Sequence, residues 1–292
     1  MLERRKVIIV ANKRIETAYS IQNIIEAALA EDIGSGDITT IAVVDKNAEG
    51  KAEIIAKENL FVAGTLIAEA IFKTVHEKVE FKAFVKDGDN VKKGKAIARV
   101  SGRLSAVLAG ERVALNFLQR LSGIATLTSQ FVNKVKGLKV KILDTRKTTP
   151  GLRILEKYAV RMGGGFNHRF GLCDGVLIKD NHIAAVGSIA EAVFRARRKA
   201  PKNMLIEVEA KNLDEVKEAI IAGADVIMLD NMKPYQMKQA VKIIGKTALI
   251  EASGGVNLNN IREIAKTGVD FISIGALTHS AKAVDISLEV VR

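Results

Sequence analysis

At 292 residues and 31.6 kDa, the chain has room for one large domain or two ordinary ones with a well-buried core. Its 48% apolar and 27% charged residues are globular composition and exclude disorder, and its longest apolar runs, such as Val7–Ala11 and Val226–Leu229, fall far short of the ~20 residues that cross a bilayer. The net charge of +12 points to anionic partners, but with 4% aromatic residues and no tryptophan there are few stacking platforms for nucleic acid, so small phosphorylated or carboxylated substrates fit better.

The basic start Met1–Lys6 leads into an apolar stretch that Asn12-Lys-Arg14 cuts off, too short for a signal-peptide core. The single cysteine, Cys173, forms no intramolecular disulfide, and no CxxC pair offers a zinc site, so a cytoplasmic protein is expected. Apolar residues Ile21, Ile24, Ile25 and Ala28 recur at helical spacing within Ala18–Ala30, and the glycine turn Glu31–Asp37 ends that helix. Ala52–Ala56, Val79–Val85 and Ala96–Val100 read as strands, with the turn-rich Lys86–Gly94 between the last two. This region resembles the hammerhead fold of biotinyl and lipoyl carrier domains. Ser101–Gly110 contains no lysine to modify, so no carrier role follows. Leu104–Thr128 is apolar on nearly every side and reads as a buried helix whose charged Glu111, Arg112 and Arg120 need partners.

From Leu138 onward strands and helices alternate. Strands are expected at Val140–Arg146, Gly175–Asp180, Leu205–Ala210, Val226–Asp230, Leu249–Ser253 and Phe271–Gly275, with amphipathic helices at Leu152–Met162, Ser188–Lys199, Leu213–Ala222, Tyr235–Ile244 and Leu258–Thr267. The expected fold is therefore α/β: an incomplete parallel α/β barrel of about six clear strands, fewer than the usual eight, behind an N-terminal α+β hammerhead-like domain. The expected division is 1–117, joined by 280–292, against 118–279.

Catalytic groups of such a barrel lie at the C-terminal strand ends. Five of these six ends are polar: Asp144-Thr-Arg-Lys147, Lys179-Asp-Asn-His182, Glu207-Val-Glu209, Asp230-Asn231 and Glu251-Ala-Ser-Gly-Gly255. Side chains alternate along a strand, so Asp144 with Arg146, Glu207 with Glu209, and Glu251 with Ser253 each share a face. Structural ion pairs would explain any one of these ends, but not easily all five in succession. Ser253-Gly254-Gly255 and Ile274-Gly275-Ala276 follow the last two strands, where barrels bind phosphate, although either turn could be purely structural. The three glycines of Gly163–Gly165 can simply end a helix. Arg169 beside His168, together with Arg146, Lys147 and Lys179, gives four fixed cations and implies a substrate with several negative groups. His76 and His279 have no partner at metal-ligand spacing, and Cys173 reads as a packing residue.

The runs Glu31-Asp-Ile-Gly-Ser-Gly-Asp-Ile-Thr39, Gly110-Glu-Arg-Val-Ala-Leu-Asn116, Leu121-Ser-Gly-Ile-Ala-Thr126, Asp144-Thr-Arg-Lys-Thr148, Gly163-Gly-Gly-Phe-Asn-His-Arg169, Ile178-Lys-Asp-Asn-His182 and Ala252-Ser-Gly-Gly255 closely resemble the quinolinate phosphoribosyltransferase family, also called decarboxylating nicotinate-nucleotide pyrophosphorylases. The resemblance covers about residues 18–292. It implies transfer of phosphoribose from phosphoribosyl pyrophosphate to quinolinate with release of pyrophosphate and carbon dioxide, giving nicotinate mononucleotide for NAD biosynthesis. It further implies that Arg146, His168 and Arg169 hold the two ring carboxylates, with Arg112 reaching in from the partner subunit of a homodimer that could assemble further. By the same resemblance Thr145 lines the substrate site, Lys147 and Lys179 meet phosphates, and Glu209 and Asp230 meet the ribose hydroxyls and a Mg²⁺ shell. Ser253, Gly254 and Gly255 with Ile274, Gly275 and Ala276 take the 5′-phosphate. Lys147, Lys179, Glu209 and Asp230 are the expected catalytic set. Three other readings stay open: a related phosphoribosyltransferase-like branch associated with molybdenum transport, a Schiff-base lyase using Lys179, and a basic nucleic-acid-binding protein.

Overall fold

The computed structural model describes residues 21–291, so the basic N-terminus, the short apolar stretch behind it and the expected helix start at Ala18 lie outside the described residues. The elements run α1 (Ile21–Ile33), α2 (Ile38–Val43), β1 (Glu49–Ala56), β2 (Leu60–Phe61), α3 (Thr65–Val75), β3 (Glu80–Ala83), β4 (Asn90–Val91), β5 (Ala96–Arg103) and α4 (Leu104–Lys134). There follow β6 (Lys141–Leu143), α5 (Arg153–Met162), β7 (Val176–Ile178), α6 (Asp180–Val186), α7 (Ile189–Lys199), β8 (Ile206–Ala210) and α8 (Leu213–Ile221). The last are β9 (Val226–Asp230), α9 (Pro234–Ile244), β10 (Leu249–Ser253), α10 (Ile261–Ala265), β11 (Phe271–Ser273), α11 (Ala276–His279) and β12 (Ile286–Val291). Two compact units result, one of residues 21–129, 148–164 and 277–291, the other of 130–147 and 165–276.

In the first unit an antiparallel sheet of order β12-β1-β5-β3 carries the expected strands. Ala52, Ile54 and Ala56 alternate along β1 and are fully buried, the period of a sheet with one face on a core. Residues Asp37 and Asp87 do separate capping work. Asp37 caps α2 by accepting from the Thr40 N–H at 2.9 Å, a local role for one residue of the Glu31–Thr39 motif. Asp87 caps α3 from a distance: it accepts from the N–H groups of Gly64 and Thr65 at 2.7 and 3.0 Å and from the Tyr158 hydroxyl at 2.6 Å. The buried stripe Ile67, Ala68, Ile71 and Phe72 makes α3 amphipathic, a helix the sequence reading passed over.

The long helix α4 extends past its expected end at Thr128 to Lys134. The charged residues Glu111, Arg112 and Arg120 fare differently. Arg120 meets the fully buried Glu156 of α5 through Nη2 and Nε at 2.8 and 3.2 Å, and also donates to the carbonyls of Ala281 and Thr278. Thr149 completes the shell by donating its hydroxyl and N–H to Glu156 at 2.7 and 3.1 Å, so this carboxylate is well satisfied. Burial pushes the Glu111 carboxyl up, with Arg112 beside it pulling the other way. Arg112 itself is exposed, which corrects the expectation that it sits buried in the helix. Gly123 lets the C-terminal segment approach α4, because a Cβ there would lie 2.1 Å from the Lys282 carbonyl oxygen.

The second unit is a six-stranded parallel sheet of order β6-β11-β10-β9-β8-β7. Read around the sheet this is sequence order with one gap, between β6 and β7, so the barrel is incomplete as expected. At the β6 side the chain adds a partial strand: Phe166 bridges Leu143 in parallel, donating to the Ile142 carbonyl at 2.8 Å and accepting from the Asp144 N–H at 3.1 Å. Strands β8, β9 and β10 are buried on both faces, and Leu143, Val226, Leu249 and Phe271 cluster in the core. Ser188 and Asn212 cap α7 and α8 with their side chains. No described helix is long and apolar enough to cross a membrane.

Candidate active site

Every expected site residue except Arg112 belongs to the second unit, and all of these lie at or just beyond the C-terminal end of a parallel strand except His168 and Arg169, which follow the Phe166 bridge. Arg112 belongs to the first unit, on α4. The first strand stops at Leu143, so Asp144–Lys147 forms a loop. There Asp144 is fully buried, Thr145 and Arg146 are half-buried and Lys147 is exposed, with the Lys147 N–H donating to Thr145 Oγ1 at 3.1 Å.

Asp144 fixes the next segment. Its two oxygens accept from Asn167 Nδ2 at 2.5 Å and from the His168 N–H at 2.9 Å, which seats His168 and Arg169 above the sheet interior. His168 Nε2 lies 3.1 Å from Glu207 Oε2 and 3.6 Å from Glu251 Oε2, while Nδ1 accepts from the Arg169 N–H at 2.8 Å. Arg169 Nη1 donates to the Gly175 carbonyl at 2.8 Å. Burial and the adjacent Arg146 guanidinium lower the Arg169 pKa, with Glu207, Glu209 and Asp174 opposing them. Two arginines are thus close enough to repel, an arrangement suited to an anion between them.

Lys179, at the end of β7, is ion-paired with Glu209 of β8. An ammonium held by a carboxylate in so charged a mouth is a poor candidate for imine formation, which argues against a Schiff-base lyase. Asp230 closes β9 and accepts from Asn231 Nδ2 at 3.1 Å. Asn231 is the one described non-glycine residue at positive φ, at 54°, and its N–H donates to the Ser253 carbonyl at 2.9 Å. Gly254 and Gly255 follow at φ 91° and 61°. Ile274 is buried and donates its N–H to the Leu143 carbonyl at 2.9 Å, placing Gly275 and Ala276 directly after β11.

Five residues without an expected role shape this mouth. Besides Asp144, the glutamates Glu207 and Glu251 share strand faces with other polar residues but carry no expected role of their own. Their signal was a carboxylate between apolar strand neighbours, Ile206 and Val208 or Ile250 and Ala252, which cannot be buried without a purpose or a partner. Burial, then the Glu207 charge, pushes the Glu251 carboxyl up to about 8. Asn167 and Asn231 act through long-range contacts that sequence spacing does not reveal. Among the described residues, His168, Glu207 and Glu251 alone have ligand atoms grouped closely enough for a metal ion, within 4.8 Å of one another.

Comparison with known proteins agrees with this geometry. Residues 37–122 match the N-terminal domain and residues 124–289 the C-terminal domain of quinolinate phosphoribosyl transferase. The chain is 50% identical over 260 residues to a probable nicotinate-nucleotide pyrophosphorylase [carboxylating] of Bacillus subtilis, covering 89% of this chain and 90% of that protein. The solved nicotinate-nucleotide pyrophosphorylase of Ehrlichia chaffeensis is 46% identical with a TM-score of 0.89, covering 94% of this chain and all of that one. That of Francisella tularensis is 42% identical with a TM-score of 0.90, covering 93% and 96%. The two domain matches together span most of the chain, and it belongs to the quinolinate phosphoribosyltransferase family.

Proposed function

We propose that this chain transfers phosphoribose from phosphoribosyl pyrophosphate to quinolinate, releasing pyrophosphate and carbon dioxide and yielding nicotinate mononucleotide for NAD biosynthesis. The observation that carries this reading is the gathering of Arg146, Lys147, Arg169 and Lys179 in one mouth of the parallel sheet, where burial and then the Arg146 charge lower the Arg169 pKa. A planar dicarboxylate satisfies two guanidinium forks at once. Arg146 and Arg169, with His168 in the same wall, take the ring carboxylates. Lys147 and Lys179 face the diphosphate, and Thr145 lines the site beside them. Ser253–Gly255 and Gly275–Ala276 take the 5′-phosphate on main-chain N–H groups, with Ile274, whose own N–H is engaged with the Leu143 carbonyl, fixing the second turn in place.

As pyrophosphate departs, positive charge grows on the ribose, and Glu209 and Asp230 on neighbouring strands β8 and β9 stabilise it. The lysines stabilise the leaving group. The quinolinate nitrogen attacks the ribose carbon and becomes a pyridinium, whose positive charge stabilises the carbanion left on the adjacent ring carbon when its carboxylate departs as carbon dioxide. The protein need only orient the ring and exclude competing water until the carbanion takes a proton. Glu209 and Asp230 offer the hard oxygen donors that Mg²⁺ takes, whereas the group at His168 contains an imidazole that Mg²⁺ does not favour. Mg²⁺, when bound, neutralises diphosphate charge. The protein acts as a cytoplasmic homodimer, with Arg112 of one subunit completing the site of its partner.

Quinolinate binding by Arg146 variants tests this reading. Arg146→Ala should bind quinolinate at least ~100-fold more weakly while remaining folded, and Arg146→Lys should recover little, because an ammonium cannot make the bidentate contact. Normal quinolinate binding by folded Arg146→Ala would remove Arg146 from the site.

A further inference from the structure

Beneath the cationic mouth lies a layer of acid. Asp144, Glu207 and Glu251 stand at the end of β6 and within β8 and β10, alternate strands in sequence, and their exposures are 0%, 7% and 1%. Side chains from alternate strands form such interior layers in parallel barrels. All three point their contacts at one residue, His168: Asp144 holds its main-chain N–H at 2.9 Å, while Glu207 and Glu251 lie 3.1 and 3.6 Å from Nε2. The outer oxygens of the two glutamates, Oε1 in each, are buried without a hydrogen-bond partner. Burying carboxyl groups this way is costly; Glu207 obtains the hydrogen bond of His168 Nε2 in return, and Glu251 lies 3.6 Å from the same nitrogen.

The other side of the imidazole is also occupied. Nδ1 accepts the Arg169 main-chain N–H at 2.8 Å, so it carries no proton, and the ring proton sits on Nε2 facing Glu207. The ring thereby links the acidic layer to the main chain of Arg169, whose guanidinium is braced on the Gly175 carbonyl. We propose that Glu207 and Glu251 are positioning residues for carboxylate recognition: through His168 they fix the imidazole tautomer and the placement of Arg169, and so the fit of the wall to a dicarboxylate. This rests on the assignment of quinolinate as substrate. Neither glutamate is expected to touch the substrate.

The test combines a spectrum with kinetics. The chain has four histidines, so ¹⁵N-histidine labelling gives a spectrum in which His168 is assigned by its loss in His168→Asn. In the wild-type protein at neutral pH, His168 should show a protonated Nε2 and an unprotonated Nδ1. A proton on Nδ1, alone or in addition to Nε2, overturns the proposal even if every variant fails to fold. Glu207→Gln should shift the His168 signals and raise the KM for quinolinate about tenfold, while the KM for phosphoribosyl pyrophosphate stays within about twofold. Glu207→Ala should raise it further, so that Gln counts as partial rescue. An unchanged quinolinate KM in folded Glu207→Gln, or an equal rise in both KM values, also overturns it. If the wild-type protein does not turn over quinolinate at all, the substrate assignment fails, and the spectrum still decides the tautomer.

Discussion

Substituting Gly254 by alanine should damage phosphate recognition far more than the same change at the next residue. Gly254 holds φ 91°, and a Cβ there would lie 2.2 Å from Asn231 Oδ1 and 2.5 Å from its Cγ. Ordinary contact between such atoms needs about 3.5 Å, so the carboxamide must swing away. Asn231 is held where it is by its N–H bond to the Ser253 carbonyl, and its Nδ2 donates to Asp230 at 3.1 Å. Gly254→Ala therefore adds about 1–3 kcal/mol of backbone strain and also detaches the Asp230 carboxylate from its neighbour, a further ~1 kcal/mol. Together these predict a rise of roughly 30- to 1,000-fold in the KM for phosphoribosyl pyrophosphate. Gly255→Ala provides the control, since φ is 61° but nothing lies within 4 Å of its Cβ, and it bears only the strain, costing about 1–2 kcal/mol. The assay is steady-state kinetics with phosphoribosyl pyrophosphate varied at saturating quinolinate, beside a thermal melt of each variant. A wild-type KM in Gly254→Ala, or equal damage from Gly255→Ala, would refute the reasoning.

Two further outcomes are expected. Arg112→Ala and Lys179→Ala should each be inactive alone, yet an equal co-refolded mixture should regain about a quarter of wild-type activity, since half of randomly paired dimers are mixed and one of their two sites is intact. No recovery, where mass measurements show mixed dimers, would place Arg112 outside the partner's site. Glu251 faces Glu207, Glu209 and His168, and its carboxyl is raised from 4.5 to about 8 on folding. Between those values the unfolded chain has lost a proton that the folded chain retains, so this residue makes stability fall as pH rises through the window. Glu251→Gln should therefore gain in melting temperature relative to wild type from pH 5 to pH 8, and a difference that stays flat with pH would contradict this.

The second unit was the more legible part of the fold. Val226–Asp230 and Leu249–Ser253 are strands with the expected bounds because buried parallel strands read as unbroken apolar runs. The strand at Val140–Arg146 came out shorter, ending at Leu143, because the polar residues Asp144–Lys147 bend away into the site. In the first unit α3 went unread: its cap, Asp87, lies 22 residues from Thr65, so no local start signal marks it. Arg112 illustrates the opposite error. The helix around it is largely apolar, but it turns Arg112 and Asn116, one turn apart, to solvent, and a composition reading does not resolve such a narrow exposed stripe. The cations of the site were legible as residue types at strand ends. The acids Asp144, Glu207 and Glu251 were legible there too, but their roles were not, because the loop at Asn167 and His168 that they hold lies 23 to 83 residues away along the chain.

Discrimination between quinolinate and nicotinate tests the central claim most directly, because the two ligands differ by one carboxylate. With Mg²⁺ and phosphoribosyl pyrophosphate present, quinolinate should give nicotinate mononucleotide and carbon dioxide in equal amounts. Nicotinate leaves one of the cations Arg146 and Arg169 without its carboxylate, a loss of about 3 kcal/mol, so its kcat/KM should be lower by a factor on the order of 100 or more. Comparable turnover of nicotinate, or mononucleotide formed from quinolinate without release of carbon dioxide, would contradict a site built to read two carboxylates.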